Sequence, residues 1–323
     1  MVIVTGGAGL IGSNVVAALN ARGISDILVV DHMKDGHKMF NLASLETQDY
    51  LDKVDFLELV EREVDLGTVD ALFHLGACSA TTEWDGEFVM RNNFEYSKKL
   101  LHWCQRSKVP YFYASSASVY GLGRRGFVER RDCEMPINMY AYSKFQFDQY
   151  VRAIWHKLSS QVVGFRYFNV YGPGERHKHS MASTAYHFNQ QLLTDGVCRL
   201  FSGTGGYSDG EQKRDFVYVE DAAAVNLWFL EHEEKSGIFN VGTGIASTFN
   251  EVASTAIRWH EKENGVKGTI EYIPFPTHLE GVYQNYTQAD LTALRHVGCD
   301  VRFRPVAEGV MSYLDVLNKT LES

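Results

Sequence analysis

Cysteine is scarce: five in 323 residues, an odd number, scattered and without a CxxC pair. That spacing excludes a disulfide framework or a cysteine zinc site, and it fits free thiols in a reducing cytoplasm. None of the five stands in a recognisable nucleophile context. No run of about 18 apolar residues occurs, so no membrane span is expected. The N-terminal Met1-Val2-Ile3-Val4-Thr5-Gly6 lacks the basic stretch and long apolar stretch of a secretory signal. Positive charge is in deficit, with 31 Lys and Arg against 40 Asp and Glu and a formal net charge of −9. A nucleic-acid partner would need a basic face, so none is expected. Neither an internal repeat nor a low-complexity tail is present. What remains, 45% hydrophobic and 22% charged, is ordinary globular composition, and the length suffices for two lobes.

Through the first half, short apolar runs alternate with amphipathic stretches. The pattern predicts strands at Val2–Thr5, Asp26–Asp31, Val69–Leu75, Val109–Ser115 and Gln161–Tyr167. Helices are predicted at Leu10–Arg22, Phe88–Gln105 and Met139–Lys157. Such alternation implies βαβ units, a parallel sheet and helices wound onto both faces. The rhythm changes at Tyr171-Gly172-Pro173-Gly174, and a helical pattern resumes over Ser180–Leu193. Ser202–Gln212 holds four glycines and no aliphatic residue, so it is read as an exposed loop. Asp215–Val219 and Gly237–Val241 are read as further strands. The expected fold is α/β: a Rossmann-like, doubly wound parallel sheet with a smaller α/β substrate domain. Residues 1–167 with 213–243 form the first unit, and 168–212 with 244–323 the second.

Gly6, Gly9 and Gly12 directly follow a strand and open a helix. This GxxGxxG spacing is a variant of the dinucleotide fingerprint. Its glycines allow a tight turn, close approach of a pyrophosphate and helix–strand packing, and the helix N-terminus offers free N–H groups to phosphate. Asp31, 19 residues past Gly12 at the end of the next strand, completes the pattern. Asp31 suits the ribose hydroxyls of NAD. Lys34, Lys38 and Lys53 could neutralise the 2′-phosphate of NADP, although each alone also reads as a solvated surface lysine. Residue chemistry leaves the two cofactors open.

Tyr140 and Lys144 form Tyr-x-x-x-Lys, which places both on one helical face. An ammonium beside the phenol is expected to lower its pKa, so that Tyr140 can exchange a proton with a substrate hydroxyl during hydride transfer. Tyr142 faces elsewhere and is assigned to packing. Ser116, at the end of a buried-looking strand, stands where open α/β sheets bind ligands and can hydrogen-bond the reacting oxygen. Glycine turn, strand-end serine and Tyr-x-x-x-Lys, in that order, resemble the extended short-chain dehydrogenase/reductase superfamily over nearly the whole chain. The nucleotide-sugar dehydratases of that superfamily carry Asp-Glu after the strand-end hydroxyl. Here Ala117 and Ser118 stand there, and neither is an acid at neutral pH. Epimerisation or simple oxidoreduction is therefore favoured over dehydration.

Six segments narrow the resemblance: Cys78–Gly86 (CSATTEWDG), Phe165–Pro173 (FRYFNVYGP), His177–Ser183 (HKHSMAS), Lys213–Asp221 (KRDFVYVED), Glu271–Pro276 (EYIPFP) and Tyr286–Leu291 (YTQADL). Together they resemble the ADP-L-glycero-D-manno-heptose 6-epimerases, which make an inner-core heptose precursor of Gram-negative lipopolysaccharide. The resemblance implies a cytoplasmic NADP-dependent isomerase of carbohydrate metabolism, with NAD as the alternative cofactor and no metal. In that chemistry C6″ of an ADP-heptose is oxidised to a ketone, the intermediate presents its other face, and the same hydride returns. Tyr140 matches one acid/base group and Lys178 the other, supported by Ser116 and Lys144. A lysine acts as a base only with a depressed pKa, and on its own Lys178 reads as a loop lysine.

The resemblance further implies cofactor contacts from Gly6, Gly9, Leu10, Ile11, Gly12, Asp31, His32, Lys38 and Lys53. Leu75, Gly76, Ala77, Cys78, Ser79, Asn92, Lys144, Val170 and Lys178 complete that set. Of the adjacent Asn92 and Asn93, which one points inward stays open. Substrate contacts are implied for Asn169, Ser180, His187, Phe201, Ser202, Gly203, Thr204, Arg214 and Tyr283. Arg214 suits a diphosphate, while His187 reads equally as a helix-face histidine. His32, Gly174-Glu175-Arg176, His179 and a longer Gly205–Gln212 loop depart from the usual family pattern. A homo-oligomer, a homopentamer, is implied as well. The alternatives are another nucleotide-sugar epimerase or reductase of the superfamily, or a silent cofactor-binding scaffold, which should have lost Tyr140, Lys144 or Ser116.

Overall fold

The computed structural model describes residues 1–279, 281 and 283–319. Residues 280, 282 and 320–323 of the expected second unit lie outside the described residues. The first half runs β1 (Val2–Thr5), α1 (Leu10–Asn20), β2 (Ile27–Asp31), β3 (Asp49–Asp52), α2 (Lys53–Glu61), β4 (Ala71–His74), α3 (Gly86–Met90), α4 (Tyr96–Ser107), β5 (Tyr111–Ser116), α5 (Met139–Ile154) and β6 (Val162–Tyr167). The second half runs β7 (Asn169–Tyr171), α6 (Thr184–Thr194), β8 (Val197–Phe201), β9 (Lys213–Arg214), β10 (Phe216–Tyr218), α7 (Val219–Leu230), β11 (Gly237–Val241), β12 (Ser247–Thr248), α8 (Phe249–Asn264), β13 (Thr269–Ile273), α9 (Thr292–His296) and α10 (Val306–Lys319).

Seven strands form one sheet in the order β11-β6-β5-β4-β1-β2-β3, and every neighbouring pair is parallel. The expected Rossmann-like sheet is therefore present. Successive side chains of a strand leave on opposite faces. Val2 and Val4 accordingly join the core under α1 and α7 with Val15, Val16 and Val225. Ile3 joins the opposite core with Phe56 of α2, Leu100 of α4 and Phe147 of α5. A separate core joins α6, α8, α10 and β8 through Phe188, Leu200, Trp259 and Tyr313. Leu291, Leu294, Cys299 and Phe303, late in the chain, pack on the α1/α7 side of the sheet.

Some local expectations change. Strand β3 was not expected: it is an exposed edge of sequence DYLD, held by backbone pairing to β2. The helix expected over Ser180–Leu193 divides into a 3-10 segment, Arg176–Met181, and α6. Ser183 caps α6 by accepting from Tyr186 N at 3.2 Å. Between α3 and α4, Arg91–Glu95 forms a turn of π-helix, a feature common at functional sites. Tyr142 is 42% exposed rather than packed.

Candidate active site

Strand order reverses at β1, which pairs with β2 on one side and β4 on the other. Open α/β sheets bind ligands at the carboxyl ends of such strands. A cleft of about 740 Å³ opens there. It is lined by all the residues expected to hold the cofactor: Gly6, Gly9 to Gly12, Asp31, His32, Lys38, Lys53, Leu75 to Ser79, Asn92, Lys144, Val170 and Lys178. Ser116, Tyr140 and Asn169 line the same cleft.

The glycine turn tests the fit to a dinucleotide. A Cβ on Gly6 would lie 2.4 Å from Gly76 N, and one on Gly12 would lie 2.1 Å from Gly6 O, so packing requires both glycines. A Cβ on Gly9 would meet only Gly6 O, at 3.2 Å. The missing side chain of Gly9 thus clears the cleft rather than the protein interior. Gly9 also N-caps α1 without a side-chain bond, which leaves the first N–H groups to an anion. These residues fit a dinucleotide pyrophosphate.

At the β2 end of the cleft, Asp31 is already engaged. Its Oδ2 accepts from Ala8 N at 2.9 Å, and its Oδ1 accepts from Lys38 Nζ at 2.8 Å. Lys38 Nζ also lies 3.4 Å from His32 Nδ1, and Lys53 Nζ donates to Asn92 Oδ1 at 2.7 Å. This places Asn92 on the cleft. Asn93 is buried and turns the other way, exchanging two hydrogen bonds with the Cys78 backbone and donating to Ser143 Oγ at 3.0 Å.

Tyr140 and Lys144 lie in the first turns of α5, which Asn138 caps by accepting from Ala141 N at 2.8 Å. Burial pushes the Tyr140 phenol up, opposed by its hydrogen bond with Ser116. The lysine was expected to lower this phenol. Instead Lys144 Nζ donates to Ala114 O at 2.7 Å, and burial pulls its own pKa down to about 8, against the charge of Asp148. Asp148, one turn further on, accepts from Tyr113 OH, Ser115 Oγ and Arg166 Nε, each at 2.9 Å. Arg166 also reaches Glu134, which Arg152 pairs at 2.7 Å. This buried ion network anchors α5 beneath the cleft.

Lys178 is half-buried in the 3-10 segment, and burial lowers its ammonium below the usual lysine range despite nearby Glu175. His74, which sequence reasoning missed, is buried between β1 and α4. It bonds Thr5 Oγ1 at 2.7 Å and Ser97 Oγ at 2.8 Å. Burial and the charge of Lys144 push its pKa down to about 3. The strand register that pairs Thr5 with His74 is the only signal that could have found it.

The residues expected to hold substrate divide. Asn169 is in the cleft, while Phe201, Arg214 and Tyr283 form a second cluster beside it. The Arg214 guanidinium lies 4.7 Å from the Tyr283 ring centre and 5.5 Å from that of Phe249, which lines the cleft. Burial lowers the Arg214 pKa, opposed only by the Tyr283 and Tyr207 hydroxyls. Among the described residues no carboxylate pairs with this buried guanidinium, which aromatic rings flank, and this suits an incoming anion. Phe201 stacks edge-on against Phe275 and Tyr283. Ser202 bonds Ile273 O at 2.8 Å through N and 3.0 Å through Oγ. Gly203 N donates to Asp209 Oδ1 at 2.7 Å, and Thr204 O accepts from Tyr207 N at 3.1 Å. Ser180 is exposed, and His187 lies on α6 beside the Tyr186 ring. Neither of these two lines the cleft.

Residues 2–242 match the NAD dependent epimerase/dehydratase family. An ADP-L-glycero-D-manno-heptose-6-epimerase from Alkalilimnicola ehrlichii is 56% identical over 317 residues, covering 98% of this chain and 97% of its own. The crystal structure of an ADP-L-glycero-D-manno-heptose-6-epimerase from Helicobacter pylori superposes with a TM-score of 0.82 and 30% identity, over 98% of this chain and 95% of that one. A UDP-glucose 4-epimerase from Thermus thermophilus, solved with NAD, has a TM-score of 0.78 and 27% identity over 97% of each chain. Among the described residues, no helix is long and apolar enough to cross a membrane, and no cluster of three metal-ligating side chains occurs.

Proposed function

Because the chain belongs to the NAD-dependent epimerase/dehydratase family, and within it to the ADP-L-glycero-D-manno-heptose 6-epimerases, we propose that it inverts C6″ of an ADP-heptose. It interconverts ADP-D-glycero-β-D-manno-heptose and ADP-L-glycero-β-D-manno-heptose for lipopolysaccharide inner-core synthesis. The observation that carries this reading is the meeting of Tyr140, Ser116 and Lys144 with Lys178, from a distant segment, in the cleft that holds the glycine turn. A simple reductase needs one proton-transfer group, whereas an epimerase that works on both faces of one carbon needs two.

Tyr140 holds the proton at its phenol oxygen, exchanges it with the C6″ oxygen on one face, and is steadied there by Ser116. Lys178, its ammonium weakened by burial, exchanges the proton on the other face. Lys144, anchored on Ala114 O, supplies positive charge to the cleft beside Tyr140. Arg214 receives the diphosphate of the sugar nucleotide. The residues around the glycine turn would hold a nicotinamide dinucleotide, which would supply the hydride acceptor and donor for C6″. We read that cofactor as NADP, because Lys38 sits on the carboxylate that would otherwise take the ribose hydroxyls and leaves positive charge for a 2′-phosphate. Residues 1–167 with 213–243 form the cofactor unit and residues 168–212 with 244–323 the sugar unit, with Arg214 of the first turned to the sugar nucleotide, Val170 and Lys178 of the second reaching the cofactor cleft, and Leu291 to Phe303 packed back on the sheet. We place the enzyme in the cytoplasm as a homopentamer, which sedimentation velocity tests directly.

The deciding experiment incubates purified protein with ADP-D-glycero-β-D-manno-heptose and NADP+ and follows the sugar by NMR. The expected result is the L-glycero epimer with no accumulation of NADPH. No epimer from protein shown to hold its cofactor would overturn the substrate assignment. Tyr140→Phe should sharply reduce turnover while cofactor stays bound, and unchanged turnover would remove Tyr140 from its role.

A further inference from the structure

The segment that carries Lys178 is tied down from outside itself. Glu175, fully buried, accepts from Ser183 N and Ser183 Oγ, each at 2.6 Å, and so closes the loop at its base. Asn14 of α1 donates to Pro173 O at 2.8 Å. Asn41 ends the 3-10 segment Gly36–Asn41 and bonds two chain segments at once. Its Nδ2 donates to Ala8 O and to Gly174 O, both at 2.9 Å, and lies 3.4 Å from His177 Nδ1. Ala8 sits in the glycine turn, and its own N–H is bonded to Asp31. One carboxamide, with two N–H donors, thus joins the glycine turn to the Lys178 segment.

The segment needs such ties. His179, next to Lys178, has φ +47° and ψ −123°, a conformation that favours glycine. Backbone strain of this kind persists only where surroundings impose it. His179, Ser180 and Met181 are exposed, so little packing does so.

We propose that Asn41 is a positioning residue for the epimerisation: it sets the depth of Lys178 relative to the glycine turn, and hence to whatever nucleotide that turn holds. This rests on the reading of Lys178 as the second proton-transfer group. Misplacing a catalytic group by about 1 Å costs up to roughly 10²-fold in rate. Asn41 itself does not line the cleft.

The test uses the cofactor-loaded enzyme with Asn41→Leu, of similar size but without donors, beside Lys178→Met. Asn41→Ser, too short to bridge both carbonyls, serves if the leucine variant fails to fold. Sugar turnover is followed by NMR, and amide hydrogen exchange is followed in residues 173–183. For Asn41→Leu the expected result is a fall in kcat of about tenfold or more, with KM for the sugar nucleotide within about twofold of wild type. Bound cofactor should be retained, and exchange across 174–182 should be faster. Unchanged exchange, unchanged kcat, or a kcat loss matched by loss of bound cofactor would overturn the proposal. Wild-type turnover in Lys178→Met would overturn the role of Lys178 instead, and the exchange data would still show whether Asn41 holds the segment.

Discussion

Asn93 grips both polar backbone groups of Cys78: its Oδ1 accepts from Cys78 N at 2.8 Å and its Nδ2 donates to Cys78 O at 2.9 Å. The π turn at Arg91–Glu95 carries both this residue and Asn92. Of these adjacent asparagines, Asn92 lines the cleft and Asn93 holds the Leu75–Ser79 wall from behind. Asn93→Leu fills the space but leaves the half-buried N–H and C=O of Cys78 unpaired. Each unsatisfied group costs about 1–3 kcal/mol. We expect the urea midpoint to fall with an unchanged slope, and turnover to fall with it as the Leu75–Ser79 wall loosens. An unchanged midpoint would show that water replaces the grip.

His74 contributes one proton to the acid limb of stability, beside His102, His177 and His260, whose pKa values burial also lowers. Burial, with help from the Lys144 charge, pushes its pKa from 6.5 to about 3. Between those values the unfolded chain binds a proton that the folded protein refuses. Stability is therefore present above pH 6.5 and is lost as pH falls towards 3, by about 1.4 kcal/mol per pH unit from this group. His74→Gln should flatten that part of the stability–pH curve by one proton, as measured by chemical denaturation at pH 7, 6 and 5. An unaltered slope would mean that other groups carry the acid limb.

Strands β1, β2, β4, β5, β6 and β11 are legible in the sequence because their apolar runs are bounded by polar turns. Strand β3 is not, since Asp49-Tyr50-Leu51-Asp52 has no apolar run and is held to β2 by its backbone and by Tyr50 OH, which donates to Asp31 O at 3.1 Å. The π turn is hidden because one extra residue barely alters a helical pattern. The helix start at Thr184 is hidden because His179-Ser180-Met181 reads as helix, until Ser183 is seen as a cap. The glycine turn, Asp31 and the strand ends that line the cleft were legible from spacing. Of the other residues that line it, Lys38 and Lys53 were singled out from surface lysines, and Asn92, Val170 and Lys178 reached at all, only through family resemblance. Asn41, His74 and Asn93 were not assigned from sequence because their meaning lies in partners remote along the chain, such as Gly174, Thr5 and Ser143. Burial, not Lys144, governs the Tyr140 phenol and raises it, which no spacing reveals.

Lys38 should separate the two cofactors. With its ammonium on Asp31, it compensates the carboxylate that would repel a 2′-phosphate. Lys38→Ala uncovers that charge. A hydrogen bond to a charged group contributes about 1.5–3 kcal/mol, so 2′,5′-ADP should bind roughly ten- to a hundredfold more weakly by calorimetry. 5′-AMP should bind as it does to the unaltered protein, or better. Equal losses for both nucleotides would remove Lys38 from 2′-phosphate recognition.

Gly9 and Gly12 should fail differently when each is changed to alanine. At Gly12 the new Cβ would lie 2.1 Å from Gly6 O, a backbone atom that cannot move without opening the turn. Overpacking of this kind costs about 1–3 kcal/mol or more, so Gly12→Ala should lose stability and nucleotide together. Gly9 has φ −85° and ψ 178°, which alanine adopts freely, and its Cβ would meet only Gly6 O, at 3.2 Å. Gly9→Ala should therefore keep its denaturation midpoint to within about 0.5 kcal/mol. The methyl would nonetheless stand in the cleft where phosphate must approach the helix N-terminus. Purified Gly9→Ala should carry much less nucleotide, read from its absorbance ratio and from release on denaturation. Full retention of nucleotide would mean that the pyrophosphate does not lie over Gly9, and the cofactor would then have to be placed elsewhere along the cleft.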